Sequence, residues 1–197
     1  HDITYVPYFD RAAILRDSDN RISSEFQVSA ALKTRVGFWF DVYTRYNSNQ
    51  RLIHHSKYPW IVFRILDVSG VINTDKPKFK WMRVERAEKI VKKERDRLEG
   101  MLKKIAKTKS LDKLSLDEIE IVNLLSSIDK NPRLAAAEAA RSLRIQVGQR
   151  DFFGEGLKIA GPYLPVLEEV FRKNRLPVEL TRLPLVESSF NRLATSK

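Results

Sequence analysis

The chain has 197 residues, 43% of them hydrophobic and 31% charged, with a formal net charge of +11 and no cysteine. That length can bury one sizeable core or a medium domain plus a small one, so two folded parts are expected rather than a repeat array or a disordered chain. Apolar runs fall short of the ~20 residues of a membrane-spanning helix, disulfides and thiol-ligated metals are excluded, and the positive charge favours an acidic partner: nucleic acid, an anionic membrane surface or a carboxylate-bearing cell-wall polymer.

The chain opens at His1 without a basic-then-apolar leader, so a processed or trimmed N-terminus is expected. Residues 25–46 read as a helix, because Phe26, Ala30, Lys33, Gly37 and Phe40 recur near helical spacing and Trp39 widens the apolar face. Residues 50–54 and 60–68 are β-type runs, and the intervening His54-His55-Ser56-Lys57-Tyr58-Pro59 supplies turn residues, which predicts a β-hairpin. Asn73-Thr74-Asp75-Lys76-Pro77 is turn-rich, and a domain boundary is placed after residue 75.

Beyond it the pattern turns helical. Over residues 83–107, Ala87, Val91, Glu94, Leu98, Met101, Leu102 and Ile105 share one stripe of a long amphipathic helix. Ser115-Leu116-Asp117-Glu118 has the form of a capping box. Asn131-Pro132 places an N-cap and a first-turn proline before an alanine-rich helix predicted over 133–146. Gly148 and Gly161-Pro162 then separate predicted helices over 149–160, 162–174 and 177–191.

Two features carry competing readings. Over residues 78–109, basic residues outnumber acidic ones roughly thirteen to five, which fits either a phosphate-neutralising face or a solvated helix laced by pairs such as Glu85–Lys89. No base-reading signature accompanies this charge, so no nucleic-acid partner is assigned. His54 and His55 resemble a metal pair, but neighbours on a strand point to opposite faces, and no metal or cofactor is assigned.

The C-terminal segment, residues 176–191, reads Leu-Pro-Val-Glu-Leu-Thr-Arg-Leu-Pro-Leu-Val-Glu-Ser-Ser-Phe-Asn. On a regular helix Leu180, Leu183 and Glu187 share one side, flanked by Val186 and Phe190. A carboxyl buried there would have a raised pKa, as a general acid at neutral pH requires, and Pro184 would bend the chain just before it. Spacing alone favours an ordinary helix glutamate near the end of an amphipathic element, because such patterns are rarely catalytic. Glu179, the nearest upstream acid, would lie ~12 Å away along a regular helix, too far for a two-carboxylate hydrolase.

This segment, continuing through Ala194, Ser196 and Lys197, resembles the opening motif of the soluble lytic transglycosylase-type catalytic domain, closest to relatives of the membrane-bound lytic murein transglycosylase D group. Upstream, Gly148-Gln149-Arg150-Asp151-Phe152-Phe153, Gly156-Leu157 and Gly161-Pro162-Tyr163-Leu164-Pro165 resemble the preceding helices of the same group, so the likeness covers about the last 50 residues. It implies Glu187 as the catalytic acid/base, with Ser188 and Ser196 at the substrate. Arg192 stands where the family often has proline, and the family pattern continues past Lys197 into Gly-Ala-x-Gly-x-(Trp or Met)-Gln and the rest of a lysozyme-like α-domain.

The expected fold is mainly α, α+β overall: a small N-terminal α+β module with a β-hairpin over 1–75, a helical region over 76–147, and the front of an incomplete lysozyme-like α-domain over 148–197. The resemblance implies cleavage of the β-1,4 bond between N-acetylmuramic acid and N-acetylglucosamine to 1,6-anhydromuramyl products. Its implied partners are peptidoglycan strands and the remaining part of the catalytic domain. Its implied location is the periplasm or outer-membrane-associated envelope of a Gram-negative bacterium; membrane anchoring is undecided by the sequence. The alternative is a peptidoglycan-binding or scaffold protein with a lysozyme-like groove and no turnover.

Overall fold

A computed structural model describes residues 10–190. In chain order the elements are α1 (Arg11–Arg16), a 3-10 turn (Ser24–Phe26), α2 (Lys33–Thr44), β1 (Gln50–His55), β2 (Val62–Asp67), α3 (Ser69–Ile72), α4 (Lys80–Lys107), α5 (Leu116–Leu125), α6 (Pro132–Arg141), β3 (Leu143–Val147), α7 (Arg150–Ala160), α8 (Leu164–Lys173), a second 3-10 turn (Val178–Arg182) and α9 (Leu183–Ser188). The protein is mainly α with a three-stranded antiparallel sheet. Its described residues divide into two compact units, one of residues 40–151 and one of residues 10–39 with 152–190. No helix among the described residues is long and apolar enough to cross a membrane.

In the 40–151 unit the sheet order is β2-β1-β3, with Leu52 opposite Ile65 and Ile53 opposite Ile145. β1, flanked on both edges, is buried from Arg51 to His55. Against the sheet lies the stripe of α4, whose Leu98, Leu102 and Ile105 join Ile53, Ile61 and Phe63 in one core with Ile121 and Leu125 of α5. Burying each such Leu, Ile or Phe contributes roughly 1.5–3 kcal/mol. Ala135, Ala136, Ala139 and Ala140 of α6 join that core, and these small side chains let α6 approach α4 closely.

Local signals hold where they were read. The Ser115 hydroxyl accepts from the Glu118 N–H at 3.3 Å while the Glu118 carboxylate accepts from the Ser115 N–H at 2.8 Å, completing the capping box. The Asn131 side chain accepts from the N–H groups of Arg133 and Leu134, with Pro132 in the first turn of α6.

Three expectations are corrected. The helix predicted over 133–146 stops at Arg141, and Leu143, Ile145 and Val147, alternating with Arg144 and Gln146, form β3 on the free edge of β1. For that reason the hairpin does not belong to a separate 1–75 module, and the boundary expected after residue 75 falls inside a compact unit. The helix predicted over 25–46 is reduced to the short turn at Ser24–Phe26 and α2.

The N-terminus of α7 is anchored inside this unit. Gly148 donates to the Gln50 carbonyl at 3.0 Å, Gln149 to Val42 at 2.8 Å and Arg150 to Tyr46 at 2.9 Å. A Cβ at Gly148 would lie 2.3 Å from the Asn47 carbonyl oxygen, so the position accepts only glycine without backbone movement. Asp151 takes the Ser48 N–H at 2.8 Å.

The other unit holds its described residues with few fully buried side chains, among them Phe38, Ala160, Thr181 and Leu185. Glu179 accepts from the Ser23 N–H at 2.9 Å, and this hydrogen bond is the main reason its carboxyl lies below the usual glutamate range. Glu168 of α8 binds Arg172 at 2.6 Å and also Arg182, and the Arg182 hydrogen bond leads in lowering its pKa.

Candidate active site

The single helix expected over 177–191 does not form over its described part, residues 177–190. Val178–Arg182 winds as a 3-10 turn, and α9 restarts at Leu183 with Pro184 in its first turn, where a missing N–H costs nothing. Pro184 therefore begins a helix instead of bending one. The tighter winding of the 3-10 segment shifts the phase of everything after it. Thr181 and Leu185 take the buried positions, while Leu183 and Val186 are each 54% exposed.

Glu187 lies in the last turn of α9 and is exposed, not enclosed by Leu180, Leu183 and Val186 as the regular-helix reading required. Among the described residues it forms no ion pair. The Ser188 hydroxyl donates back to the Pro184 carbonyl at 3.2 Å, which leaves its oxygen lone pairs as acceptors. Ser196 lies outside the described residues. Glu179 faces Ser23 and is occupied there, so it is not available as a second catalytic carboxylate.

The turn after Glu187 is tightly determined. Ser189 (φ 50°) and Phe190 (φ 57°) are both left-handed, an uncommon state for residues with a Cβ. The Phe190 N–H closes the turn on the Pro184 carbonyl at 3.1 Å. Its ring stacks on Tyr163, with centroids 6.4 Å apart and planes inclined by 17°. Gly156 of α7 is buried under this turn, so close that a Cβ there would stand 2.8 Å from the Ser189 carbonyl oxygen and 3.0 Å from its carbon.

Gly156, Tyr163 and Phe190 all belong to the segments that carry the family resemblance. The structure brings all three to the segment that carries Glu187 and Ser188. A buried glycine facing a backbone is the kind of signal that spacing does not disclose.

In the same unit Arg21, Ser23 and Glu25 and, across from them, Arg175, Pro177 and Glu179 are among the residues lining an open cleft of about 490 Å³, which Glu187 does not line. No family model, no curated protein and no solved structure matches this chain.

Proposed function

We propose that the chain carries the acid/base segment of a peptidoglycan lytic transglycosylase, with Glu187 as the catalytic residue of a lysozyme-like α-domain. The observation that supports this most directly is an accessible carboxyl without an ion-pair partner among the described residues, at the end of a helix whose next two residues are locked left-handed. It coincides with the glutamate of the Leu-Pro-x-Glu-Leu-x-x-Leu-Pro-x-Val-Glu-Ser-Ser-Phe-Asn pattern. Strain held next to a presented titratable group is characteristic of active sites.

In this reading a glycan strand laid over α9 covers Glu187 and excludes water from it. The acid donates its proton to the glycosidic oxygen as the bond from the N-acetylmuramic acid anomeric carbon breaks. The substrate's 2-acetamido oxygen stabilises the cationic carbon. The resulting carboxylate then takes the proton of the C6 hydroxyl, whose oxygen closes on the anomeric carbon to give the 1,6-anhydro ring, and no water is consumed. The lone pairs of Ser188 accept from a sugar hydroxyl or amide, and Ser196 belongs to the same substrate contact by resemblance.

The reading places the protein in the periplasm or at the outer membrane of a Gram-negative envelope, with peptidoglycan strands as partner. Phe152, Leu157, Val166, Val170, Leu183 and Val186 are large apolar side chains left exposed in this unit, a surface suited to a further part of the catalytic domain.

The exposure of Glu187 also favours a second reading, a peptidoglycan-binding protein without turnover, because its carboxyl is not enclosed by the apolar side chains that a general acid's pocket calls for. Glu187→Gln separates the two. Incubated with purified murein sacculi, the variant is expected to bind them as the native protein does and to release no muropeptides. Native protein that binds sacculi and releases nothing would establish the binding role instead.

A further inference from the structure

The start of α4 carries a surface that glycan cleavage does not use. Phe79 is 59% exposed and Trp81 64%, with Met82 also exposed beside them. They interleave with Lys76, Lys78 and Lys80, and Arg86 follows one turn after Met82. These three apolar residues are separate from the buried stripe of the helix, which is Ala87, Val91, Leu98, Leu102 and Ile105.

The lysines are available. Among the described residues none of Lys76, Lys78, Lys80 and Arg86 has an acidic partner. The acids of this stretch are Asp75, exposed, and Glu85, which is bound to Lys89 at 2.7 Å. The segment is also held in place: Arg83 donates to the carbonyls of Ile72 at 2.8 Å, Pro77 at 2.9 Å and Lys78 at 3.0 Å, tying the preceding loop to the first turn of α4. An ordered loop presents its side chains without first losing conformational entropy.

We infer that Phe79, Trp81 and Met82, ringed by Lys76, Lys78, Lys80 and Arg86, form a peripheral docking surface for an anionic lipid bilayer. The charge selects an anionic partner, and the exposed apolar side chains select one with an apolar phase just beneath its charges. Indole and phenyl rings settle at the headgroup boundary and the methionine enters the acyl region, while the lysines meet the phosphates. A nucleic acid would take the lysines and could stack on the rings, but it offers Met82 nothing.

The test is co-sedimentation of the protein with vesicles of phosphatidylethanolamine and phosphatidylglycerol, beside vesicles of phosphatidylcholine alone and a fluorescent single-stranded oligonucleotide at the same salt. Binding to the anionic vesicles alone is expected, weakening as salt rises. Replacing Lys76, Lys78 and Lys80 together by Gln should weaken it on the order of a hundredfold, at about 1 kcal/mol per lysine. Phe79→Ser with Trp81→Ser should weaken it too, with an unchanged circular dichroism spectrum. In vesicles containing brominated lipid, tryptophan emission should be quenched in the native protein and largely spared in Trp81→Phe, a variant that preserves the apolar contact. Failure to bind anionic vesicles, binding that these changes leave intact, or capture of the oligonucleotide without the vesicles would each overturn the assignment.

Discussion

Replacing Gly156 by alanine perturbs the candidate site through one methyl group, and the neighbouring Gly154 supplies the control. Both glycines lie inside α7, where alanine is intrinsically favoured over glycine by about 1 kcal/mol. At Gly154 a Cβ would meet nothing within 4 Å, so Gly154→Ala should stabilise the protein by up to about 1 kcal/mol. At Gly156 the new methyl would stand 2.8 Å from the Ser189 carbonyl oxygen and 3.2 Å from its Cα, atoms of a backbone that cannot rotate aside. Overpacking of this kind costs about 1–3 kcal/mol, which offsets the helix gain and leaves the two variants separated by roughly that amount. Relief requires the turn after Glu187 to move away from α7, so muropeptide release should fall in Gly156→Ala and hold in Gly154→Ala. Urea denaturation and sacculus digestion of the two variants read both effects. A Gly156→Ala protein as stable and as active as Gly154→Ala would refute the close approach and its role in presenting Glu187.

Further outcomes follow from particular contacts. Glu187→Gln alters an exposed side chain without an ion-pair partner among the described residues, so its unfolding free energy should stay within about 0.5 kcal/mol of native; a larger loss would give the carboxyl a structural duty. Ser115→Ala removes the side-chain half of the α5 capping box and should cost about 0.5–2 kcal/mol in the same denaturation assay. His54 and His55 are both buried in β1, and burial is the leading cause holding their pKa values below the ordinary histidine range, with Glu138 opposing the shift at His55. The His55 Nδ1 accepts from the Lys57 N–H at 3.1 Å, a bond that protonation would remove. The unfolded chain therefore binds protons first: this stability is complete above roughly pH 6.5 and is lost as pH falls from there toward the folded values. Melting temperatures measured on either side of that point should show the loss, and His55→Asn should reduce its slope; a flat native profile would contradict the assignment.

The elements legible in the sequence are those fixed by near neighbours. The Ser115–Glu118 box, the Asn131-Pro132 helix start, the stripe of α4 and the β1–β2 hairpin are all specified within one turn or one strand of chain. β3 was not legible, because its five residues follow an alanine-rich helix and its partner β1 lies some ninety residues earlier. Only the free edge of β1 makes Leu143, Ile145 and Val147 a strand.

The candidate site divides in the same way. Glu187 and Ser188 stand out as a motif, but their surroundings depend on the 3-10 turn at Val178–Arg182, which breaks the helical phase assumed from spacing. Burial accordingly passes to Thr181 and Leu185, and the carboxyl is left exposed. The Gly156–Ser189 approach is a tertiary contact between residues more than thirty positions apart, visible only once α7 and α9 are both in place.

The proposed chemistry is tested most directly by the mass of what the protein releases from murein sacculi. Muropeptides one water lighter than hydrolysed ones, absent when Glu187→Gln is used, are the expected result, because ring closure by the C6 hydroxyl replaces attack by water. Products with free reducing ends, or anhydro products that Glu187→Gln releases as readily as the native protein, would contradict it.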